Sequence, residues 1–526
     1  MAILAALSAA AFPALAQEAD VMRAALYISG AAEEEEVDQT VLERVEAFKG
    51  RIIKVNRPSR RAGELLSAYQ LASLEDYRRR NGDILSWEEL ALVDGFGKEA
   101  VEALKPFLSL DSETLPGAVD TVVRHQRELL LRYAGTGFGA KFKWTAERWQ
   151  AGAAWRGKDF TFHVDADLGR HRVLIGDYHL RTGQGIAHWS GFSMENLSTV
   201  EAFIRRATGI RPGWSFSSAS LHRGLAWEYA RGPIQGSLFA DIGGRLGTRV
   251  EGLWRAFQVG FTATIEKGGP VVSTDGRLNW KGMDLAAEFA WKNRSFGGIM
   301  AGSVKLADAF RLAFQGRALP SRFTGKKAGE YALAAGLGYK ASSLTASFTL
   351  DAALVPKPDS GETGRRQLKA YAQARWQMTP AWALAARYTG RYRNYEDART
   401  GLRLDILFSG GPWCATGRLE GAYCTQTGLL AYSEGGYNSD KLSGYLRVTG
   451  FLVNHWNARI YCYERDAPGT FSVPAYNGRG WAASFTGKWK FRWRRLTARL
   501  YLRAACRFRA GESPKPSGSV QLQLQI

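Results

Sequence analysis

Only four cysteines occur in 526 residues. That excludes a small disulfide-stapled scaffold. Beyond residue 16 there is no run of eighteen or more apolar residues, which argues against a membrane-spanning helix. Catalytic signatures are missing too. The chain has no G-x-x-x-x-G-K-[ST] phosphate loop, G-x-S-x-G, H-E-x-x-H or C-x-x-C. No enzyme and no cofactor is expected. The glycines lack a three-residue period, which excludes collagen, and no 40-residue repeat marks a propeller. His163, His171 and His179 stand near Asp165, Asp167 and Asp177. They are expected to be scattered polar groups, so no metal site is assigned.

What the chain has in excess is glycine (58 residues), aromatics (12%) and positive charge, with 70 Lys+Arg against 50 Asp+Glu. This composition suits many short strands and turns. Residues 1–16 read MAILAALSAAAFPALA, an apolar stretch ending in a small-x-small pattern. It resembles a secretory signal peptide. Residues 17–49 form an acidic lead segment with helical character, Glu33 to Glu36 opening a polar helix.

Residues 50–110 carry helical periodicity. Leu65, Leu66, Tyr69, Leu71, Leu74 and Tyr77 follow three/four spacing, and Asn81-Gly82-Asp83 stops the helix. Ser86 with Glu89 three residues on is a capping box. Asp94-Gly95-Phe96-Gly97-Lys98 then leads into a helix from Glu99 to Leu104. Two helices joined by such a glycine turn can hold a phosphate on backbone N–H groups and a positive helix end. The candidate DNA or phosphate contacts are Gly95, Gly97 and Lys98 over a packed Phe96, with Arg78, Arg79 and Arg80 as further cations. This stretch is similar to the tandem helix-hairpin-helix domain of the DNA-uptake protein ComEA. The resemblance implies DNA binding. One departure favours docking of a protein instead: the first hairpin turn, Leu66 to Gln70, has no glycine.

From about residue 119 the period changes to two. Leu368 to Met378 places small and apolar groups on one face and Lys, Gln and Arg on the other. Trp382 to Tyr388, Leu442 to Phe451 and Leu496 to Phe508 repeat the pattern, and Ser519 to Ile526 alternate to the last residue. Runs of about 8–12 residues suit tilted transmembrane strands. The fold class expected is mainly β: a transmembrane antiparallel β-barrel of about 16–24 strands over residues 119–526, preceded by a small all-α domain. The ordered series Gly176-Asp177-Tyr178-His179-Leu180, Gly183-Gln184-Gly185, Trp189-Ser190-Gly191-Phe192, Arg205 to Pro212 and Phe471 to Tyr476 resembles a family from Bacteroidetes-type bacteria. That family joins a ComEA-like domain to an outer-membrane barrel. The resemblance implies an outer-membrane protein with its helical domain in the periplasm.

The charge is unevenly divided. Residues 1–117 hold 13 Lys+Arg and 20 Asp+Glu, and the remainder holds 57 and 30. The excess of cations therefore belongs to the barrel, not to the domain resembling a DNA binder. Arg181, Arg205, Arg206 and Arg211 sit in a glycine-rich stretch that does not alternate, which makes them candidates for a constriction in the lumen. Cys414 and Cys424 are a candidate disulfide in an exported protein. The expected function is a non-enzymatic barrel that binds or takes up DNA or other polyanions. A structural or assembly barrel docking a periplasmic or envelope protein, and an anion-selective porin, fit the same residues. Outer-membrane lipid is the expected surrounding.

Overall fold

The computed structural model describes residues 17–526, apart from 32–33, 35–36, 38, 47, 49–51, 59, 112–124, 136, 147, 191–196, 255–256, 281, 325–328, 357–363, 395–397, 440, 471 and 495. The signal-peptide segment lies outside the described residues, as do Gly191, Phe192 and Phe471 of the ordered series.

Among the described residues, five α-helices come first: α1 (Gln17–Ser29), α2 (Gln39–Glu46), α3 (Ala68–Asn81), α4 (Trp87–Leu92) and α5 (Gly97–Leu104). They share one apolar core that includes Val21, Val45, Leu74, Leu90, Val101 and Leu104. Local chemistry sets their ends. Ser67 caps α3 in a reciprocal box with Gln70, at 3.1 and 2.9 Å. Leu65 and Leu66, expected to extend that helix, precede the cap instead. Gly82 stops α3 at φ 85°. Ser86 accepts from Glu89 N to open α4, while the Glu89 carboxylate reaches Leu85 N. Ile53–Lys54 and Leu108–Ser109 pair in parallel and tie the two ends of this domain together.

The rest is a closed antiparallel barrel of 24 strands, the upper limit of the expected range. It closes where the last strand, Lys515–Gln525, pairs with the first, His125–Ala134. Closure removes both sheet edges, the only way a sheet can satisfy its backbone in lipid. The expected alternation is realised. In Arg365–Gln377, Leu368 and Trp376 are exposed on the outer face while Lys369 and Gln373 turn inward. In Trp382–Arg393, the outer face runs from Trp382 to Tyr392. Ten residues at about 3.3 Å each, tilted about 40°, give roughly 25 Å of height, the depth of an apolar membrane band. Aromatic pairs ring one end, among them Trp254–Phe257, Phe310–Tyr339, Trp382–Phe408 and Trp413–Tyr437 at 4.8–5.0 Å.

The two rims differ. At the rim shared by His125 and Ile526, the connections between strands are two to four residues long. The opposite rim carries the long connections, residues 182–221 and 454–477. Both of these fold into the lumen.

One expectation is corrected here. Cys414 and Cys424 lie at opposite ends of a single strand, Trp413–Cys424, and all four cysteines are free thiols. Ten residues of extended chain hold them about 33 Å apart. A disulfide needs Cα atoms within about 7 Å.

The outward face of each strand should behave as a lipid-facing surface. Leu404→Arg, mid-strand and exposed, should lower the unfolding free energy by about 2–4 kcal/mol in lipid vesicles, with Leu404→Ile near neutral. Equal tolerance of both would show that this face does not meet hydrocarbon.

Candidate functional site in the barrel lumen

Among the described residues, three long pieces of chain enter the lumen. The first is residues 182–221. Their anchor is Glu288, fully buried on the inner wall. Its carboxylate accepts the backbone N–H groups of Gln184, Ile186 and Ala187 at 2.7, 3.1 and 3.2 Å. Several N–H donors converging on one carboxylate make a strong, charge-assisted fastening. Further along, Phe203 packs on Gly336, three strands around the wall from Glu288, and Gln315 donates to the Phe203 carbonyl at 2.7 Å. Thr349 holds the Leu197 carbonyl. A second anchor is buried Arg172, which pairs with Asp165 at 2.8 Å and Glu228 at 3.0 Å and donates to the Ile210 carbonyl.

The second piece is residues 454–477. Arg465 pairs with Glu434 at 2.8 Å, Arg132 with Asp466 at 3.2 Å, and Arg447 donates to the Tyr463 carbonyl at 2.5 Å. Arg399 donates to the Arg459 carbonyl at 2.6 Å.

The third piece is the helical domain. Arg211 donates to the Gly63 carbonyl at 3.2 Å, and Thr199 donates to the Gly30 carbonyl at 2.8 Å. Gly30 has φ 67°, and a Cβ there would stand 3.0 Å from the Glu201 carbonyl oxygen, so only glycine fits this close approach. Glu99 bridges to Lys340 at 3.0 Å near the short-turn rim. Tyr69 lies beside the inner-wall pair Arg277 and Asp284. The acidic domain thus sits against the inner wall of the cationic barrel, and the two opposite charge excesses face each other.

The four candidate constriction arginines lie in this assembly. The Arg181 and Arg205 guanidiniums lie 5.1 and 5.3 Å from the Trp189 ring centroid. Arg206 covers Tyr27 of α1 at 4.3 Å, and Arg211 meets Gly63. Arg181, at the end of the strand His171–Arg181, thus ties the insert to the wall, while the other three hold the insert to itself or to the helical domain.

At the hairpin between α4 and α5 the two glycines have different surroundings. Gly95 has φ 83°, and a Cβ there would stand 2.7 Å from the Tyr69 ring. Its carbonyl accepts from Gln70 at 2.9 Å. The glycine admits a neighbouring helix rather than leaving a gap for a ligand. Phe96 is buried in the domain core, whereas Gly97 and Lys98 are exposed. Arg79 and Arg80 pair with Asp76, and Arg78 with Asp83, so these arginines interact with carboxylates of their own neighbourhood. Asp94, Glu99 and Glu102 surround the turn with negative charge.

The largest concentration of cations was not singled out from the sequence. Four consecutive strands, Arg365–Gln377, Trp382–Arg393, Arg399–Gly410 and Trp413–Cys424, turn nine Lys/Arg and two carboxylates inward. Lys369 stands opposite Arg391, and Arg391 opposite Arg399. Arg387 stands opposite Arg403. Directly opposed like charges destabilise a sheet pair. Asp405 compensates part of this, pairing with Arg403 at 2.8 Å and Arg418 at 2.7 Å. A cavity of about 640 Å³ lies along this wall, closed on its other side by Glu34, Glu99 and Glu102 of the helical domain. The signal was available: arginine recurs at period two in successive strands, but their inward direction and adjacency follow only from the register.

No protein-family model matches the chain, and no curated protein is significantly similar to it. Solved structures of similar shape include the copper transporter OprC, at 10% identity and TM-score 0.41 over 76% of this chain and 80% of that one. The ferric enterobactin receptor PfeA of Pseudomonas aeruginosa gives 9% and 0.41 over 78% and 82%. The P pilus usher PapC translocation pore gives 9% and 0.35 over 76% and 98%. The chain is a large β-barrel of the outer-membrane kind, as its closure and apolar outer band already require.

Two outcomes follow from these contacts. Burial holds His188, in the first insert, down at about pKa 4, against its partner Glu266 at 3.6 Å. Its neutral form favours the folded insert, so that stability is complete above about pH 6.5 and is lost as the pH falls toward 4. The hydrogen-exchange protection of the described residues within 182–221, relative to the intrinsic rate at each pH, should therefore fall over that window, and His188→Gln should reduce the fall. Separately, Gly95 and Gly97 both have a positive φ that strains any alanine, but only Gly95→Ala adds a clash with the Tyr69 ring, while Gly97→Ala meets open space. Hydrogen exchange in α3 should show Gly95→Ala the more costly by about 1 kcal/mol or more.

Proposed function

We propose that the protein is an outer-membrane pore that binds and passes anions along its arginine-lined wall, with the N-terminal helical domain as its plug. The observation that supports this reading is the cross-strand row of like charges, Lys369, Arg391 and Arg399. A fold that only needed stability would not oppose cations in this way, whereas an anion moving past them is attracted by each in turn. Polyanions, DNA included, belong to the class such a wall attracts, and their binding weakens steeply with salt. Short turns mark the periplasmic rim of outer-membrane barrels. On that rule the helical domain enters from the periplasm and the two long inserts fold in from outside. The acidic face of the domain, Glu34, Glu99 and Glu102, lies where an anionic substrate would. No catalytic role is assigned.

A second reading, docking of an envelope protein by the helical domain, draws on one feature. Ile52, Leu85 and Leu92 are exposed at 60, 57 and 81% on that domain.

Single-channel recording tests the first reading. The full chain should conduct weakly, and removal of residues 17–111 should raise conductance several-fold with preference for anions. Arg387→Glu with Arg391→Glu should reverse that preference. Cation selectivity in the unsubstituted barrel would overturn the proposal. If the domain instead docks a partner, crosslinking from Leu92 should capture one protein stoichiometrically.

A further inference from the structure

At the short-turn rim, three rings stack on the outward face of two paired strands, His171–Arg181 and His222–Arg231. The register sets His171 opposite Tyr229 and Val173 opposite Trp227. The His171 ring centroid lies 5.8 Å from that of Trp227, at 24° between planes, and 5.0 Å from that of Tyr229. Trp227 and Tyr229 stack at 6.3 Å and 19°. The Trp227 indole N–H donates to His171 Nδ1 at 3.3 Å. An indole nitrogen can only donate, so Nδ1 accepts and the neutral imidazole carries its proton on Nε2. That second N–H has no acceptor among the described contacts. Arg231 ends its strand two residues past Tyr229, and period two puts it on the same outward face. It is exposed and pairs with no carboxylate among the described residues. Further from the rim the outward side chains are apolar. Ile175 stands opposite Leu225, Leu238 opposite Trp227, and all three of these aliphatic side chains are exposed. The other aromatic pairs at this rim consist of Trp, Tyr and Phe alone. Here a fixed imidazole donor and a guanidinium stand at the end of an apolar track.

We propose that this face is a binding site for one phospholipid of the surrounding membrane, which the orientation given above places in the periplasmic leaflet. Arg231 and the His171 Nε2–H hold the phosphate, and the acyl chains lie along Ile175, Leu225 and Leu238. A guanidinium fork matches two phosphate oxygens. Trp227 is a positioning residue: its bond to Nδ1 fixes which imidazole nitrogen presents a proton. The apolar track favours a lipid over a soluble phosphate, because only a lipid brings chains to cover it. The site lies outside the barrel, so it stands or falls independently of the pore reading.

The test titrates the full chain in detergent with dioleoylphosphatidylglycerol and counts bound lipid by native mass spectrometry. Two controls divide the chemistry: dioleoylglycerol has the chains without the phosphate, and glycerol 3-phosphate has the phosphate without the chains. One phosphatidylglycerol should bind saturably, about fivefold or more tighter than either control, since one basic residue at an anionic membrane surface is worth about that factor. His171→Phe with Arg231→Gln keeps the ring stack and should remove that preference. Trp227→Phe keeps a ring but loses the indole N–H; it should weaken phosphatidylglycerol and leave dioleoylglycerol unchanged, a split that a merely structural role would not produce. Trp382→Phe, in another aromatic pair of the rim, should change neither. Heat-modifiable gel migration confirms that each variant remains a folded barrel. Equal retention of dioleoylglycerol would overturn the phosphate site and leave ordinary lipid contact. Equal binding of glycerol 3-phosphate would overturn the lipid as its source. Unchanged preference in the double variant would overturn the assignment of His171 and Arg231.

Discussion

A barrel of 24 strands is too wide to fill its lumen with its own side chains. Smaller barrels pack their interiors; this one must bring in other chain or stand open. The inserts 182–221 and 454–477 and the helical domain answer that constraint. They are fastened by small apolar clusters, Leu197, Val200 and Phe203 on Ala313 and Ala334 among them, and by ionic groups. Glu288 gathering three N–H groups, Arg172 between Asp165 and Glu228, and Arg465 on Glu434 are all of the ionic kind. Such fastenings respond to pH, salt and competing ions more readily than packed hydrocarbon does.

The same constraint explains the division of charge. An acidic domain lies within a cationic barrel, and each lowers the electrostatic cost of the other. Strand periodicity sets which wall side chains turn inward, and the register sets Lys369, Arg391 and Arg399 opposite one another.

The helical domain shows how a motif can keep its local geometry while its surroundings change its use. Ser67, Gly82 and Ser86 set the helix ends from local hydrogen bonds and backbone freedom alone; Gly82 and Ser86 were legible in the sequence, whereas the Ser67 cap was not singled out. The glycines of the α4–α5 turn were legible as a turn. That Tyr69 and Gln70 lie against Gly95 was not, because it depends on how two helices twenty-five residues apart pack. The Cys414–Cys424 pairing failed for the opposite reason. Nearness in an exported chain made the two cysteines a candidate pair, yet the segment between them is one extended strand.

By itself the sequence determined the barrel, since period-two alternation with an apolar face and a terminal strand leaves few other ways to satisfy the backbone in a membrane. It also determined that the cations belong to the strand-rich part. The tertiary structure alone decided the number of strands, the inward folding of both inserts, the opposed rows of arginine and the packing of the acidic domain against the inner wall. Each of these rests on register and on contacts between residues hundreds of positions apart, and a linear pattern carries no information about which strands become neighbours.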